Sequence, residues 1–216
     1  MTQSSHVPDT KQEIVSQFMA DKLLLRLDRH PSGAPTAMAA QWRAKQALQK
    51  YLSALPVPLL RLLHSCEGGY AVLWHGDSSY HPGAWQGVQA VAFLNLAELE
   101  SRPETALSPF GQLVDHLLGS LCREPAAYLS EGASVSPHWS AFHGRLLAAK
   151  RLNYASNERA TESPVAYFRW AFAQYCADRQ KLSTVDPQAY RLLHSTVFSE
   201  SYWHGHPLSS STSAEE

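Results

Sequence analysis

Apolar residues recur along this chain in two rhythms, and the rhythm changes from helical to strand-like and back again. Over residues 11–29, Ile14, Phe18 and Leu25 fall on one stripe and predict an amphipathic helix. The run Pro31-Ser32-Gly33-Ala34-Pro35 breaks it. Thr36 is placed to cap a second helix through Trp42, Ala47, Leu48 and Tyr51 to about Leu52, and Pro56 and Pro58 separate this from a short helix over 59–64. The period then shortens. Tyr70–Trp74 reads as a strand, His75–Ser79 as a turn, and Gly87–Leu94 as a second strand, with Asn95 placed to cap the next helix.

Beyond Asn95 the helical rhythm returns. Ser108-Pro109-Phe110 opens a helix through Leu113, Val114, Leu117, Leu118 and Leu121. After a loop over 130–137, a helix is predicted for 138–152. Another starts at Ser163-Pro164 and reaches at least Asp178, dense in Tyr167, Phe168, Trp170, Phe172 and Tyr175. Proline behind a serine cap is a start signal, because N1 needs no backbone N–H. Asp186-Pro187 opens a last helix to about Phe198. The leader, Met1–Thr10, and the serine-rich tail, Ser209–Glu216, read as disordered. The sum is an α+β fold, predominantly helical with a small β-sheet.

At 216 residues the chain fits one core-forming domain. Its formal charge of −1 gives no general pull toward nucleic acid or membrane, and neither is an expected partner. Cys66, Cys122 and Cys176 are odd in number, widely spaced and set among apolar neighbours, so they read as reduced, buried thiols. No stretch has the length of a membrane span or the layout of a signal peptide. The expectation is a cytoplasmic protein, with secretion by a signal-less route also compatible.

From about Leu55 to Phe198 the chain resembles the anthrax lethal factor catalytic-domain family, a branch of the zincin metallopeptidases. The resemblance lies in the order and spacing of several segments. Residues 166–175, AYFRWAFAQY, follow the aromatic spacing of that family's EFFAEAF-like helix; residues 186–193, DPQAYRLL, follow its closing DPELYRFL-like segment; and residues 113–120, LVDHLLGS, resemble the HExGH helix, with Gly119 at the motif glycine. Ala126–Leu129 and Phe142 also match roughly. The resemblance implies a zincin-like domain over 36–206, after a leader and helix over 1–35 and before a tail over 207–216.

It also implies a dismantled metal site. In HExxH helices two histidines at i and i+4 reach one Zn²⁺, and the glutamate beside the first activates the bound water. Here His116 stands at the first ligand, Leu117 at the general base, Ser120 at the second ligand and Trp170 at the third, with Ala166 at the first glutamate of the later helix. Tyr154 aligns with the catalytic tyrosine. One imidazole without a base neither grips zinc nor activates water. The expectation is therefore no catalytic residue and no cofactor, zinc included. Leucine and tryptophan remove buried charges that only a metal would have neutralised.

Three functional readings are compatible with this pattern. The first is a pseudopeptidase that binds a protein or peptide partner. The resemblance implies a groove along an edge strand, carried by Val88, Ala90, Ala92 and Leu94, with Tyr167 beside it. The second is a metal-dependent hydrolase with an unorthodox site around His116, His138 and His143, although 138 and 143 are five apart and leave a shared helical face. The third is a structural or assembly component that inherited the fold. Asp115 and His116, as helix neighbours, point about 100° apart and do not make an acid–base pair. A Cys122–His116 pair is disfavoured by its spacing of six, and the His204–His206 pair reads as an incidental feature near the tail.

Overall fold

The computed structural model describes residues 10–26, 35–152 and 162–207. Tyr154, the tail from Ser209 and most of the 31–35 breaker run lie outside the described residues. Within them the fold is α+β: helices dominate, and four short strands form one sheet.

Helix α1, Lys11–Asp21, opens on a reciprocal cap in which Thr10 Oγ1 accepts the Glu13 N–H and Glu13 returns a carboxylate to the Thr10 N–H. It turns Ile14, Val15 and Phe18 into the core. The helix expected to continue to residue 29 stops at Asp21, because Leu23–Leu25 leaves it as strand β1 and pairs in parallel with β2, Tyr70–Trp74. Three leucines serve either geometry, and the free edge of β2 decides between them. Helix α2, Pro35–Ser53, buries Ala44, Leu48 and Leu52 and leaves Trp42 outside, 60% exposed. Helix α3, Val57–Ser65, follows Pro56. All three helices join the same core as the rest of the chain.

Strand β3, Ser79–Trp85, carries no periodic signal. It contains Pro82 and a register irregularity between His81 and Ala84, and both suit an edge strand. It pairs antiparallel with β4, Val88–Asn95, which also pairs in parallel with β2; the order is β1-β2-β4-β3. β4 is therefore interior, and the expected edge-strand groove over Val88–Leu94 is corrected. Both sides of its backbone are taken by neighbours, and the edge strands of the sheet are β1 and β3. One face of the sheet packs Ala71, Leu73, Ala90, Ala92 and Leu94 against helices, while Val72, Val91 and Phe93 form a second cluster with Trp74 and Trp85 on the other.

Asn95 caps α4, Leu96–Ser101, accepting the Ala97 and Glu98 N–H groups. The short α5, Pro103–Ala106, leads into α6, Ser108–Ser120, which lies against β3 and β4. The helix expected over 138–152 is two pieces, a 3₁₀ turn at Pro137–Trp139 and α7, Phe142–Arg151. Helix α8, Pro164–Val185, starts on the Ser163 cap and bends at Asp178, whose carboxylate re-caps the second half through Gln180 and Lys181. Asp186 then caps α9, Pro187–Ser195, through the Ala189 N–H and accepts the buried Tyr167 hydroxyl at 2.7 Å. The last helix, expected to reach about Phe198, ends at Ser195, and a further, unexpected helix, α10, Glu200–Gly205, follows. The 204–206 histidines thus end a helix, where the His206 ring stacks on Tyr202.

Candidate functional site

His116 sits in the second half of α6 and is fully buried. Its Nδ1 accepts a 2.6 Å hydrogen bond from the Tyr80 hydroxyl, and its Nε2–H donates to the Arg123 carbonyl at 3.0 Å. Tyr80 is placed for this by the start of β3, and its burial pushes the phenol pKa well up, so the proton stays on oxygen. Burial holds the imidazole pKa below its usual value, partly opposed by the Arg123 carbonyl. The result is a neutral ring with both nitrogens engaged. A metal would have to displace the Tyr80 hydroxyl or the Nε2 proton.

The other positions that the resemblance aligns with the motif are equally committed. Leu117 belongs to the hydrophobic core. Ser120 bonds weakly to the Arg123 and Ala127 carbonyls at 3.4 and 3.3 Å. Trp170 is half-buried and stacks on Tyr167 with ring centroids 6.0 Å apart. The ring partners of His116 are Tyr80 and Tyr128 instead. Gly119 has a purely steric role: a Cβ there would stand 2.1 Å from the Ala127 carbonyl oxygen.

His116, His138 and His143 do not converge. His143 Nδ1 donates to the Ser130 carbonyl at 2.6 Å, and the His138 ring packs edge-on against His206. No three His, Cys, Asp or Glu side chains come together as a metal site among the described residues.

Asp115 turns to a different partner from His116, as the angle between helix neighbours requires. It is completely buried and accepts from both the N–H (2.8 Å) and the hydroxyl (2.5 Å) of Ser130. Desolvation nonetheless pushes its carboxyl up to about 7, against the pull of those two bonds. Asp115, Ser130 and His143 therefore form a chain but not a nucleophilic triad. The serine proton goes to the carboxylate, and the imidazole meets the carbonyl rather than Oγ.

A cleft of about 550 Å³ opens beside these groups. Its walls are Ser78–Tyr80 at the start of the edge strand, Gln112 on α6, and Arg169, Trp170 and Gln174 on α8, with Glu104 and Ser108 at the rim. Arg169 donates to Gln112 at 3.3 Å, and no carboxylate pairs with it among the described residues. Of the expected groove residues, none lines this space. Val88, Ala90, Ala92 and Leu94 lie in the interior strand, and Tyr167 is spent on Asp186 inside the core.

Sequence reasoning misses Tyr80, Gln112 and Arg169 as cleft residues. The signal that could have found Tyr80 is the hydrogen-bonding requirement of a buried histidine. It also misses the meeting of Cys66 and Cys122, which no CxxC spacing announces: the Cys66 S–H donates to the carbonyl of Leu121, the residue before Cys122, at 3.0 Å. No helix among the described residues is long and apolar enough to cross a membrane. Comparison with protein-family models and with characterised proteins gives no match.

Proposed function

We propose that this chain is a catalytically inactive, zincin-like pseudopeptidase that binds a protein or peptide partner, in a cytoplasmic setting that keeps its thiols reduced. The observation that carries the reading is the 550 Å³ cleft at the open edge of β3, between that strand and helices α6 and α8. An edge strand offers unpaired N–H and C=O groups to an extended chain, and an adjoining cleft supplies side-chain selectivity. The full engagement of His116, the burial of Leu117 and the diversion of Ser120 support the loss of catalysis. On this reading no zinc is bound.

The test is selection of a random peptide library on the folded protein, followed by calorimetric titration of the enriched peptides. Trp170→Ala and Arg169→Ala should weaken binding at least about tenfold, the loss expected from about 1.4 kcal/mol of contact. Peptides bound equally well by both variants would remove the cleft from consideration. Stoichiometric zinc together with cleavage of unfolded casein would overturn the inactive assignment.

A further inference from the structure

Two segments far apart in sequence meet at the C-terminal end of α6. Cys66 ends α3, and its Sγ lies 3.0 Å from the carbonyl of Leu121, the residue immediately before Cys122. The two thiols are near enough for each to shift the acidity of the other. The turn Glu67-Gly68-Gly69 wraps Cys122 closely. A Cβ on Gly68 would stand 3.1 Å from the Cys122 Cβ, and one on Gly69 would stand 4.0 Å from its Sγ. Leu121 and Cys122 are held in the left-handed region, at φ 54° and 60°, which costs free energy for any residue with a Cβ. Such geometry persists only where the surroundings fix it.

The facing turn is itself anchored by Lys22, only 6% exposed, whose ammonium donates to the carbonyls of Cys66, Glu67 and Gly68. A buried cation is thus tied to the turn that carries one sulfur. A fixed positive charge disfavours a bound metal cation and favours an anionic sulfur. Cys66 is half-buried, whereas Cys122 is 2% exposed. The arrangement has an outer thiol that a small oxidant can reach and an inner thiol held against it.

We propose that Cys66 and Cys122 are a redox-active dithiol that hydroperoxides oxidise to an intramolecular disulfide. The Cys66 thiolate attacks one oxygen of the hydroperoxide. An S–O bond forms, the O–O bond breaks, and the departing alkoxide or hydroxide takes up a proton to leave as alcohol or water. Sulfur loses two electrons to the peroxide and becomes a sulfenic acid. The Cys122 sulfur then attacks that sulfur, the S–S bond forms, and the S–O bond breaks. Hydroxide leaves and takes the Cys122 proton as water. Two thiols and one hydroperoxide become one disulfide, one alcohol or water, and one further water.

The acidities agree with this division. The neighbouring Cys122 thiol, with the Gly68 backbone and the Lys22 charge, lowers the Cys66 thiol pKa against its burial. The Cys122 thiol is pushed up, chiefly by the neighbouring Cys66 thiol and by burial, so it is the resolving partner. Burial alone pushes Cys176 up, and it serves as the internal control.

The experiment treats the reduced, full-length protein with stoichiometric hydrogen peroxide, alkylates it and maps the digest by mass spectrometry. The expected product is a linked peptide pair containing Cys66 and Cys122, lighter by two hydrogens, with Cys176 still alkylated. In Cys122→Ser, oxidation should stop at a sulfenic acid on Cys66 that dimedone traps. The rate of Cys66 oxidation in the unmutated protein should rise with pH through a midpoint below the ordinary cysteine value. A stable sulfenic acid on Cys66 in the unmutated protein, a disulfide between two molecules, or Cys176 reacting first would overturn the assignment. None of these outcomes depends on whether the cleft binds a peptide.

Discussion

Asp115 offers a direct check on the electrostatics of α6. Its side chain is completely buried, and desolvation raises its carboxyl from 3.8 to about 7, although the Ser130 N–H and O–H and the Leu129 N–H pull the other way. In the unfolded chain the group ionises near its ordinary value. Between these two points the folded state binds the proton and the unfolded state does not, so folding stability falls as pH rises. The contribution is fully present below about pH 4 and lost as pH climbs through 7, where the slope ends. Over the whole interval it amounts to roughly 4 kcal/mol, at about 1.4 kcal/mol per tenfold change in proton concentration. His116 acts in the opposite sense: burial lowers its pKa, which makes stability rise with pH over its own range. The two effects are separated by Asp115→Asn, which keeps an acceptor for the Ser130 N–H and removes only the carboxyl titration. Urea unfolding of both proteins from pH 5 to 8 should show the variant gaining on the wild type by about 1 kcal/mol or more between pH 5 and 7, with the gain levelling above 7. A difference independent of pH, or one that favours the wild type as pH rises, would refute the argument.

Four further substitutions test packing and bonding in the fold. Gly119→Ala drives a methyl into the Ala127 backbone and should cost about 3 kcal/mol or more, whereas Gly144→Ala in α7 meets nothing within 4 Å and should add up to about 1 kcal/mol; thermal unfolding reads both. Tyr80→Phe removes the hydroxyl that donates to Nδ1 and favours the neutral ring, so the His116 pKa should rise in an NMR histidine titration. Asp186→Ala removes the cap of α9 and leaves the buried Tyr167 hydroxyl without its partner, for a loss of about 2–4 kcal/mol by urea unfolding.

The elements legible in the sequence are those whose signals are local. Ser163-Pro164 and Asp186-Pro187 start helices because cap and proline act within one turn, and both starts are where the pattern puts them. Tyr70–Trp74 and Val88–Asn95 are strands because β-branched and apolar residues run continuously there. Leu23–Leu25 defeats the helical reading because three leucines carry no preference strong enough to resist a vacant strand edge. β3 is invisible to periodicity because an edge strand with Pro82 and exposed positions has no alternating apolar face. That omission moves the open edge onto β4 and the groove with it. Aromatic weight misleads as well: Trp42 faces solvent, while small Ala44 faces the core. The thiol pair is illegible for a different reason, since nothing in the spacing of residues 66 and 122 encodes the meeting of two helix ends.

A single arrangement accounts for most of the buried polar groups of α6. Asp115, His116, Gly119 and Ser120 fall at i, i+1, i+4 and i+5, which is one side of a helix. On that side runs the 123–135 segment. Ser130 is bound by Asp115, the Arg123 carbonyl by His116, the Ala127 backbone lies against Gly119 and bonds Ser120, and the Val135 N–H reaches the Leu118 carbonyl at 3.0 Å. This is the face on which a zincin helix would present its ligands, and it cannot hold an ion and this segment at once. Introducing an HExxH motif by Leu117→Glu with Ser120→His should therefore fail to create a zinc site. Leu117 is wholly buried, so a carboxylate there costs several kcal/mol without a partner, and a histidine at 120 replaces the hydroxyl that bonds the Arg123 and Ala127 carbonyls. The double variant should bind less than stoichiometric zinc by elemental analysis and unfold at lower urea than the wild type. Stoichiometric zinc with an unfolding midpoint raised by the metal would show that the segment lifts readily, and that the face of α6 is still a metal face.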